Sequence, residues 1–431
     1  MKIAVVGSGG REHALVKKLA QSPLCGEIIV LPGNAGMVGD ALIAPMNAKA
    51  TDLEAIVAYC KQAGVQYVVV APDDPLALGM VDALAAEGIP AFGPNKAAAR
   101  IEASKVFSKN LMQKYNIPTA AYQSFTSYAE AKAYVQRHTT YPLVVKADGL
   151  ALGKGVIICQ DEKEALAAVQ SMLQDGAFGA AGNSVVIEEF LTGPEVSVLA
   201  FCDGETLVPM VSSMDHKRVN DDDEGPNTGG MGAVAPNPFY TPQMAAQCME
   251  EIFMPTVKAM QAEGCPFKGC LYFGLMLTPA GPKVIEYNCR FGDPETQVVL
   301  PLLQSDLLAV MMACTDETLT PEMVEFSSGA AACVVLASGG YPGPYQTGYP
   351  ITGLEATEVV ADNVNVYFAG VAAGENGELV TGGGRVLGVS ATGSTLRGAL
   401  TAAYLAAGQI KFAGKHTRMD IGRRALQKIE K

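Results

Sequence analysis

Histidine is scarce: His13, His138, His216 and His416 are too dispersed in sequence to suggest a catalytic triad or a zinc site. The ten cysteines contain no C-x-x-C pair, so they read as buried apolar thiols in a reducing cytosol rather than a disulfide framework. No apolar run is long enough to span a bilayer. No basic, apolar, small-residue leader precedes the strand pattern that begins at residue 3. Internal repeats and low-complexity tracts are missing too. Positive charge is in deficit, with 31 Lys and Arg against 44 Asp and Glu, a net charge of -13. That balance argues against nucleic acid or an anionic membrane as a main partner. The expectation is a soluble cytoplasmic protein.

What is present is globular: 431 residues, 49% hydrophobic and 17% charged, enough for two to four domains. An acidic protein that binds phosphates must concentrate positive groups locally, so lysines, arginines and glycine loops at helix N-termini become worth tracking. The chain opens with the strand pattern Lys2 to Gly7, the turn Gly7-Ser8-Gly9-Gly10 and an apolar-periodic helix from about Arg11 to Gln21. Strands at 27–31, 67–71 and 91–92 alternate with helices near 52–63 and 75–87. This βαβα rhythm predicts a doubly wound parallel α/β domain with ligands at the strand C-termini. A nicotinamide-binding reading fails on detail. The fingerprint G-x-G-x-x-G needs glycine at 12, where the chain has Glu12, and the second strand lacks a carboxylate at its end. A glycine turn opening a helix remains, suited to a single phosphate.

Residues 95–115 read as one helix carrying Lys96, Arg100, Lys105 and Lys109, a pattern whose usual meaning is a solvated face. A smaller α+β region follows over about 120–190. In it the strand 142–147 carries Lys146 at the end of an apolar run, and Asp148 to Gly155 (DGLALGKG) is a glycine loop with a lysine before a return strand at 156–158. Such a β-loop-β unit folds over phosphates with backbone N–H groups and one point charge. It is not a Walker A loop, which would need Gly at 148 and Ser or Thr at 155. The strand 184–187 runs into Glu188-Glu189-Phe190-Leu191, readable as strand-end charges or as a nucleotide hinge. The polar loop 215–232 reads as a substrate lid, the function long loops inside domains commonly serve.

The chemistry is placed on Lys283 to Thr296 (KVIEYNCRFGDPET). Its first nine residues read as a strand. Alternation puts Glu286, Asn288 and Arg290 on one face, about 6–7 Å apart, and Ile285, Tyr287, Cys289 and Phe291 on the other. Hard oxygen donors suit Mg²⁺ carrying nucleotide phosphates, and the arginine fork suits a carboxylate or phosphate.

Taken together, GSGGREHAL (7–15), PGNAG (32–36), VVKADGLALGKGV (144–156), VIEEFLTGPEVS (186–197), DHKRV (215–219), GPNTGGMGA (225–233), VIEYNCRFGDPETQ (284–297), GGGRVLGV (382–389) and DIGRRAL (420–426) resemble the ATP-grasp carboxylate–amine ligases, and within them the glycinamide ribonucleotide synthetase family. The resemblance covers essentially the whole chain. It implies an α/β ATP-grasp ligase with an N-terminal doubly wound domain over 1–101, ATP-grasp α+β domains over 102–327 with a lid subdomain near 120–190, and a small C-terminal α+β domain over 328–431. Carried residue by residue, it implies that Lys105 and Lys146 meet nucleotide phosphates under the loop from Gly149 through Gly153 and Lys154 to Gly155. The backbone at Glu188, Glu189, Phe190 and Leu191 would hold adenine and Glu195 the ribose, while Glu286 and Asn288 would bind the metal. Arg290, Asp293, Pro294, Glu295 and Asp215 would line the glycine site. Gly9, Gly10, Arg11, Glu12 and Asn34 would face phosphoribosylamine. Arg290, Lys146 and Asp293 would carry the catalysis.

The implied reaction joins glycine to 5-phosphoribosylamine through glycyl phosphate, with ATP as co-substrate and Mg²⁺ or Mn²⁺ as cofactor. The expected protein is a monomer with transient contact to the preceding pathway enzyme. Many ATP-grasp enzymes have an acidic metal ligand on the strand before Glu-x-Asn. Here 269–277 carries none, which puts a second ion in doubt. Rival readings are another ATP-grasp ligase carboxylating a purine intermediate, a nicotinamide oxidoreductase and a non-catalytic nucleotide-binding protein.

Overall fold

The structure, a computed structural model, describes residues 1–150, 155–177, 179–358 and 362–430. Its first sheet is parallel, in the spatial order Leu42–Ile43, Glu27–Pro32, Lys2–Gly7, Tyr67–Val70, Ala91–Phe92. Alternate residues enter opposite cores. Ala4, Val6, Ile29, Leu31, Val68 and Val70 pack one way, and Ile3, Val5, Val30, Tyr67 and Val69 the other. Burial on both faces is why these strands are unbroken apolar runs. The region read as one helix over 75–87 is two, Asp73–Leu78 and Met80–Ala86, because Gly79 takes φ +100° between them.

The expected helix 95–115 is likewise divided into Lys96–Ala103 and Lys105–Lys114. Ser104 is extended and its Oγ accepts from the Phe107 N–H, so it caps the second helix. The Asp148 carboxylate reinforces the cap, accepting from the Val106 N–H at 2.8 Å and the Ser104 hydroxyl at 3.0 Å.

A four-stranded antiparallel sheet follows, in the order Tyr122–Phe125, Val185–Glu189, Leu143–Ala147, Val156–Cys159. Leu143, Val145, Ala147, Val185 and Ile187 pack on residues of the helices Tyr128–Arg137 and Glu162–Leu173. Period-two alternation therefore turns Lys146 and Glu188 to the other face. A second antiparallel sheet, in the order Leu207–Pro209, Glu195–Asp203, Lys268–Thr278, Gly281–Asn288, forms the floor opposite.

The C-terminal sheet, in the order Met214–Asp215, Gly232–Ala235, Ala330–Ala337, Arg385–Gly393, Val364–Phe368, takes its first two strands from the central region. The segment between those two strands differs from the expected free lid. Arg218–Asn220 and Glu224–Asn227 form a hairpin. Arg418, 1% exposed, donates to the Arg218 carbonyl at 3.1 Å and the Asp223 carboxylate at 2.9 Å, and it pairs with Asp420 at 2.8 Å. The Asp222 N–H donates to Asp420 at 3.0 Å and the Met419 N–H to Asp221 at 2.8 Å. The acidic run is thus the anchor of the hairpin rather than a solvated flap.

Cys25 is partly exposed, the other cysteines are buried, and all are free thiols. Among the described residues no helix is long and apolar enough to cross a membrane.

Candidate active site

The strand carrying the Glu-x-Asn pair is shorter than expected, Gly281–Asn288, and it contains a bulge. Gly274 pairs with Glu286 while Leu275 pairs with Val284, leaving Ile285 as the extra residue. The bulge resets the phase. Val284 enters the core before it, and Tyr287, Cys289 and Phe291 after it. Ile285, expected on the core face, is only partly buried. Without the extra residue, the phase that buries Val284 would also bury Glu286.

Burial acts to raise the Glu286 carboxyl, but the charges of Lys217, Lys146, Lys105 and Arg290 outweigh it and hold the group below the ordinary range. Lys217 lies 3.0 Å from the Glu195 carboxylate and 3.8 Å from that of Glu286, and so links the two. Across the ladder Gly274 leaves room. A Cβ there would meet Glu286 Cγ at 3.1 Å. Among the described residues no group of three or more His, Cys, Asp or Glu side chains is arranged around a metal position. Glu286 and Asn288 as an ionised carboxylate and an amide oxygen fit a divalent ion that fills its shell from water and phosphates.

On the opposite sheet Lys146, together with Lys109 from the helix Lys105–Lys114, pairs with the buried Glu188 carboxylate, and Lys146 also donates to the Ile285 carbonyl at 3.2 Å. Lys105 donates to the Gly149 carbonyl at 3.0 Å, at the root of the glycine loop. Gly155 is at the far root, and Gly153 and Lys154 lie outside the described residues. Glu189 pairs with Lys283 at 2.8 Å and accepts from the Ala121 N–H at 3.1 Å. The strand ends there, so Phe190 and Leu191 leave the ladder, with the Phe190 ring 38% exposed.

Beyond the strand, Arg290 donates to Glu102 at 2.8 Å and lies 3.9 Å from Asp73, while its Nε is buried with no protein partner among the described residues. Glu295 is buried and accepts from the Tyr272 hydroxyl at 3.0 Å. Burial first, and the Glu295 charge second, push the Asp215 carboxyl well above the ordinary range. Pro294 packs beside Asp215 at Gly230, where a Cβ would meet Asp215 Oδ1 at 2.7 Å.

The Asp293 carboxylate accepts from the Arg11 N–H at 3.3 Å and from Gln297 at 2.8 Å, and lies 3.4 Å from Arg385. Glu12 is buried and tied to the Gly9 N–H at 2.5 Å and Arg11 Nε at 2.7 Å, shaping the glycine turn through Gly10. Asn34 spends its amide N–H groups on the carbonyls of Ser8, Phe368 and Ala369, at 2.8, 3.0 and 3.2 Å.

The structure thus gathers Lys105, Lys146, Glu188, Glu195, Glu286 and Asn288 between two sheets, and Asp215, Arg290 and Glu295 beside them. Asp293, Glu12 and Asn34 occupy joints whose polar atoms already have partners. Lys109, Glu102, Lys217, Tyr272 and Arg385 escaped the sequence reading. Lys217 was in sight within DHKRV, but nothing local distinguished it from a solvated charge. A cavity of about 550 Å³ elsewhere is lined by Val81, Ile89, Pro90, Asn95, Lys268 and Glu317. It contains none of these residues, and its two charges are paired with each other at 2.6 Å.

Family comparison agrees over nearly the whole length. Residues 1–102 match the phosphoribosylglycinamide synthetase N domain, 103–296 its ATP-grasp (A) domain and 331–424 its C domain. The chain is 47% identical over 427 residues to a phosphoribosylamine–glycine ligase of Pasteurella multocida, covering 99% of this chain and 98% of the relative. It is 47% identical over 435 residues to one of Rhodopirellula baltica, covering 100% and 99%. A crystal structure of phosphoribosylamine–glycine ligase from Thermotoga maritima superposes with a TM-score of 0.85 at 34% identity, covering 98% of this chain and 100% of that one. The biotin carboxylase domain of Hydrogenobacter thermophilus 2-oxoglutarate carboxylase shares the fold, with a TM-score of 0.74 at 17% identity, covering 96% and 91%.

Proposed function

We infer the activity from one premise: the chain belongs to the phosphoribosylglycinamide synthetase family. It is a ligase that joins glycine to 5-phosphoribosylamine, giving glycinamide ribonucleotide in purine biosynthesis. The oxidoreductase and non-catalytic readings are not favoured. The observation that carries the site assignment is the Glu286 carboxylate with Lys217 at 3.8 Å and Lys146 bonded at 3.2 Å to the adjoining Ile285 carbonyl. A polyanionic triphosphate needs such cations, and a carboxylate among them needs a metal to face phosphate.

ATP is the co-substrate in this reading, its phosphates between Lys105, Lys146 and the loop Gly149 to Gly155. Adenine lies against the backbone after Glu188 and the ribose hydroxyls against Glu195. A divalent ion, Mg²⁺ or Mn²⁺, held by Glu286 and Asn288 would neutralise phosphate charge. The glycine ammonium suits the space beside Asp215 and Glu295, where a cation would favour the charged form of the half-buried Asp215 carboxyl next to the buried Glu295. The buried Nε of Arg290 suits the glycine carboxylate. Phosphoribosylamine enters from the Gly9-Gly10-Arg11 turn, which Asp293 joins to the rest of the site.

A glycine carboxylate oxygen then attacks the γ-phosphorus as the bond to ADP breaks, giving glycyl phosphate. The phosphoribosylamine nitrogen attacks the acyl carbon, the amide bond forms, and phosphate leaves with the amine proton. No protein nucleophile takes part, so positioning and cationic stabilisation of the transferred phosphoryl group carry the rate. The buried free thiols support a reducing, cytoplasmic setting.

Glycine labelled with ¹⁸O in its carboxylate tests the pathway, with ATP, Mg²⁺ and phosphoribosylamine generated in place. Label in released phosphate together with a glycyl amide product is expected. ADP formation independent of glycine would overturn the substrate assignment.

A further inference from the structure

Lys109 reads in sequence as a surface charge one helical turn after Lys105. In the structure its side chain is 3% exposed, Glu188 is 4% exposed and Lys146 is 6% exposed, and both lysines contact the one carboxylate. The three come from different elements: Lys109 from the helix Lys105–Lys114, Lys146 and Glu188 from neighbouring strands. Lys109 also donates to Thr119 Oγ1 at 2.8 Å, and Thr119 donates to the Val284 carbonyl at 2.7 Å. The next carbonyl on that strand, Ile285, accepts from Lys146. A closed circuit of contacts therefore joins the lid sheet to the strand that bears Glu286.

A buried charge is costly unless paired. One lysine would neutralise Glu188 completely, and a Lys146 so paired would have no charge left for a ligand. Two lysines on one carboxylate leave the cluster with a surplus of one positive charge. We propose that Lys109 is a positioning residue for ATP: it neutralises the buried Glu188, so that Lys146 keeps its charge and its place for the nucleotide phosphates. This rests on the ATP-dependent reading above.

Burial first, and the charge of Lys146 after the opposing pull of Glu188, lower the Lys109 ammonium to about 8. The other charged group around it is Glu189, which Lys283 already pairs, and the neutral Tyr122 ring lies 5.6 Å away. Glu286 and Glu102 act on Lys105. Loss of the Lys109 proton would return the whole Glu188 charge to Lys146.

The test measures the MgATP Kd by calorimetry between about pH 6.5 and 9.5, and KM for each substrate, in wild type, Lys109→Met and Lys109→Arg. In wild type, MgATP binding weakens as pH rises through about 8. Lys109→Met raises Kd and KM for ATP about tenfold at neutral pH, leaves KM for glycine within about twofold, and loses that pH step. Lys109→Arg restores binding and moves the step to higher pH, because a guanidinium stays charged. Unchanged ATP affinity in Lys109→Met, or equal losses for all three substrates, overturns the proposal. If Lys109→Met does not fold, identical pH steps in wild type and Lys109→Arg overturn it. A wild type that neither binds nor consumes ATP would instead overturn the ATP reading.

Discussion

Arg11 and Asp293, 282 residues apart, are joined by a hydrogen bond of 3.3 Å from the Arg11 backbone N–H to the Asp293 carboxylate. Arg385 approaches the same carboxylate at 3.4 Å and donates to the Asp293 carbonyl at 2.8 Å. Asp293 thereby ties the N-terminal turn, the central region and the C-terminal sheet together. Asp293→Ala leaves Arg385 and Gln297 short of a partner, and is expected to cost about 2–3 kcal/mol of stability. It should raise KM for phosphoribosylamine more than KM for ATP. Urea titration and substrate-by-substrate kinetics check both parts. Equal KM effects would detach Asp293 from the phosphoribosylamine side.

Glu286 is the carboxylate that the surrounding cations keep ionised. Glu286→Ala is expected to lower kcat by about 10³-fold while the circular dichroism spectrum stays native. Near-wild-type turnover at limiting Mg²⁺ would remove Glu286 from the metal site.

His216 is buried between two backbone groups. Its Nδ1 lies 3.1 Å from the Gly232 carbonyl, and its Nε2 accepts from the Gly422 N–H at 3.0 Å, which defines a neutral ring protonated at Nδ1. Burial, then the charge of Arg418, lowers it to about 4. The unfolded chain therefore binds the proton first, and stability from this residue is present above about pH 6.5 and lost as pH falls towards 4. The full span is about 3 kcal/mol. Denaturant unfolding of wild type and His216→Gln across pH 4–7 reads it as a difference that narrows on acidification. A constant difference would contradict the assignment.

Arg418 holds the hairpin that follows Asp215 and Lys217. Arg418→Met leaves Asp420 only Arg423 and the Asp222 N–H, each at 3.0 Å, and frees the hairpin, with an expected loss of about 2–3 kcal/mol. Because Lys217 bridges Glu195 and Glu286, kcat/KM should fall as well. Calorimetric Tm and steady-state rates check the pair. Loss of stability with unchanged kcat/KM would show that the anchor is only structural.

Gly230 has φ +115°, and a Cβ there meets Pro294 and Asp215. Gly230→Ala is expected to raise KM for glycine about tenfold or more, with a much smaller effect on ATP binding. Glycine titration against MgATP titration separates the two.

The sequence by itself determined the elements and the faces. Apolar runs that alternate into two cores, glycine turns at strand ends, and Lys146 opposite a packed strand face follow from periods of two and 3.6 residues, which local chemistry imposes. It also carried the family, through motifs spread over the whole chain. Only the tertiary structure decided the partners. Glu102 meets Arg290 from 188 residues away in the chain. Lys109 meets Glu188 because a sheet formed later in the chain folds over that helix. Asp221 to Asp223 meet the segment around Arg418 nearly two hundred residues on. The bulge at Ile285 is of the same kind, since burying both Val284 and Tyr287 requires the neighbouring strand. A periodic pattern states which way a side chain points. It carries no record of which charge will be buried beside it, and desolvation makes that pairing the larger energy.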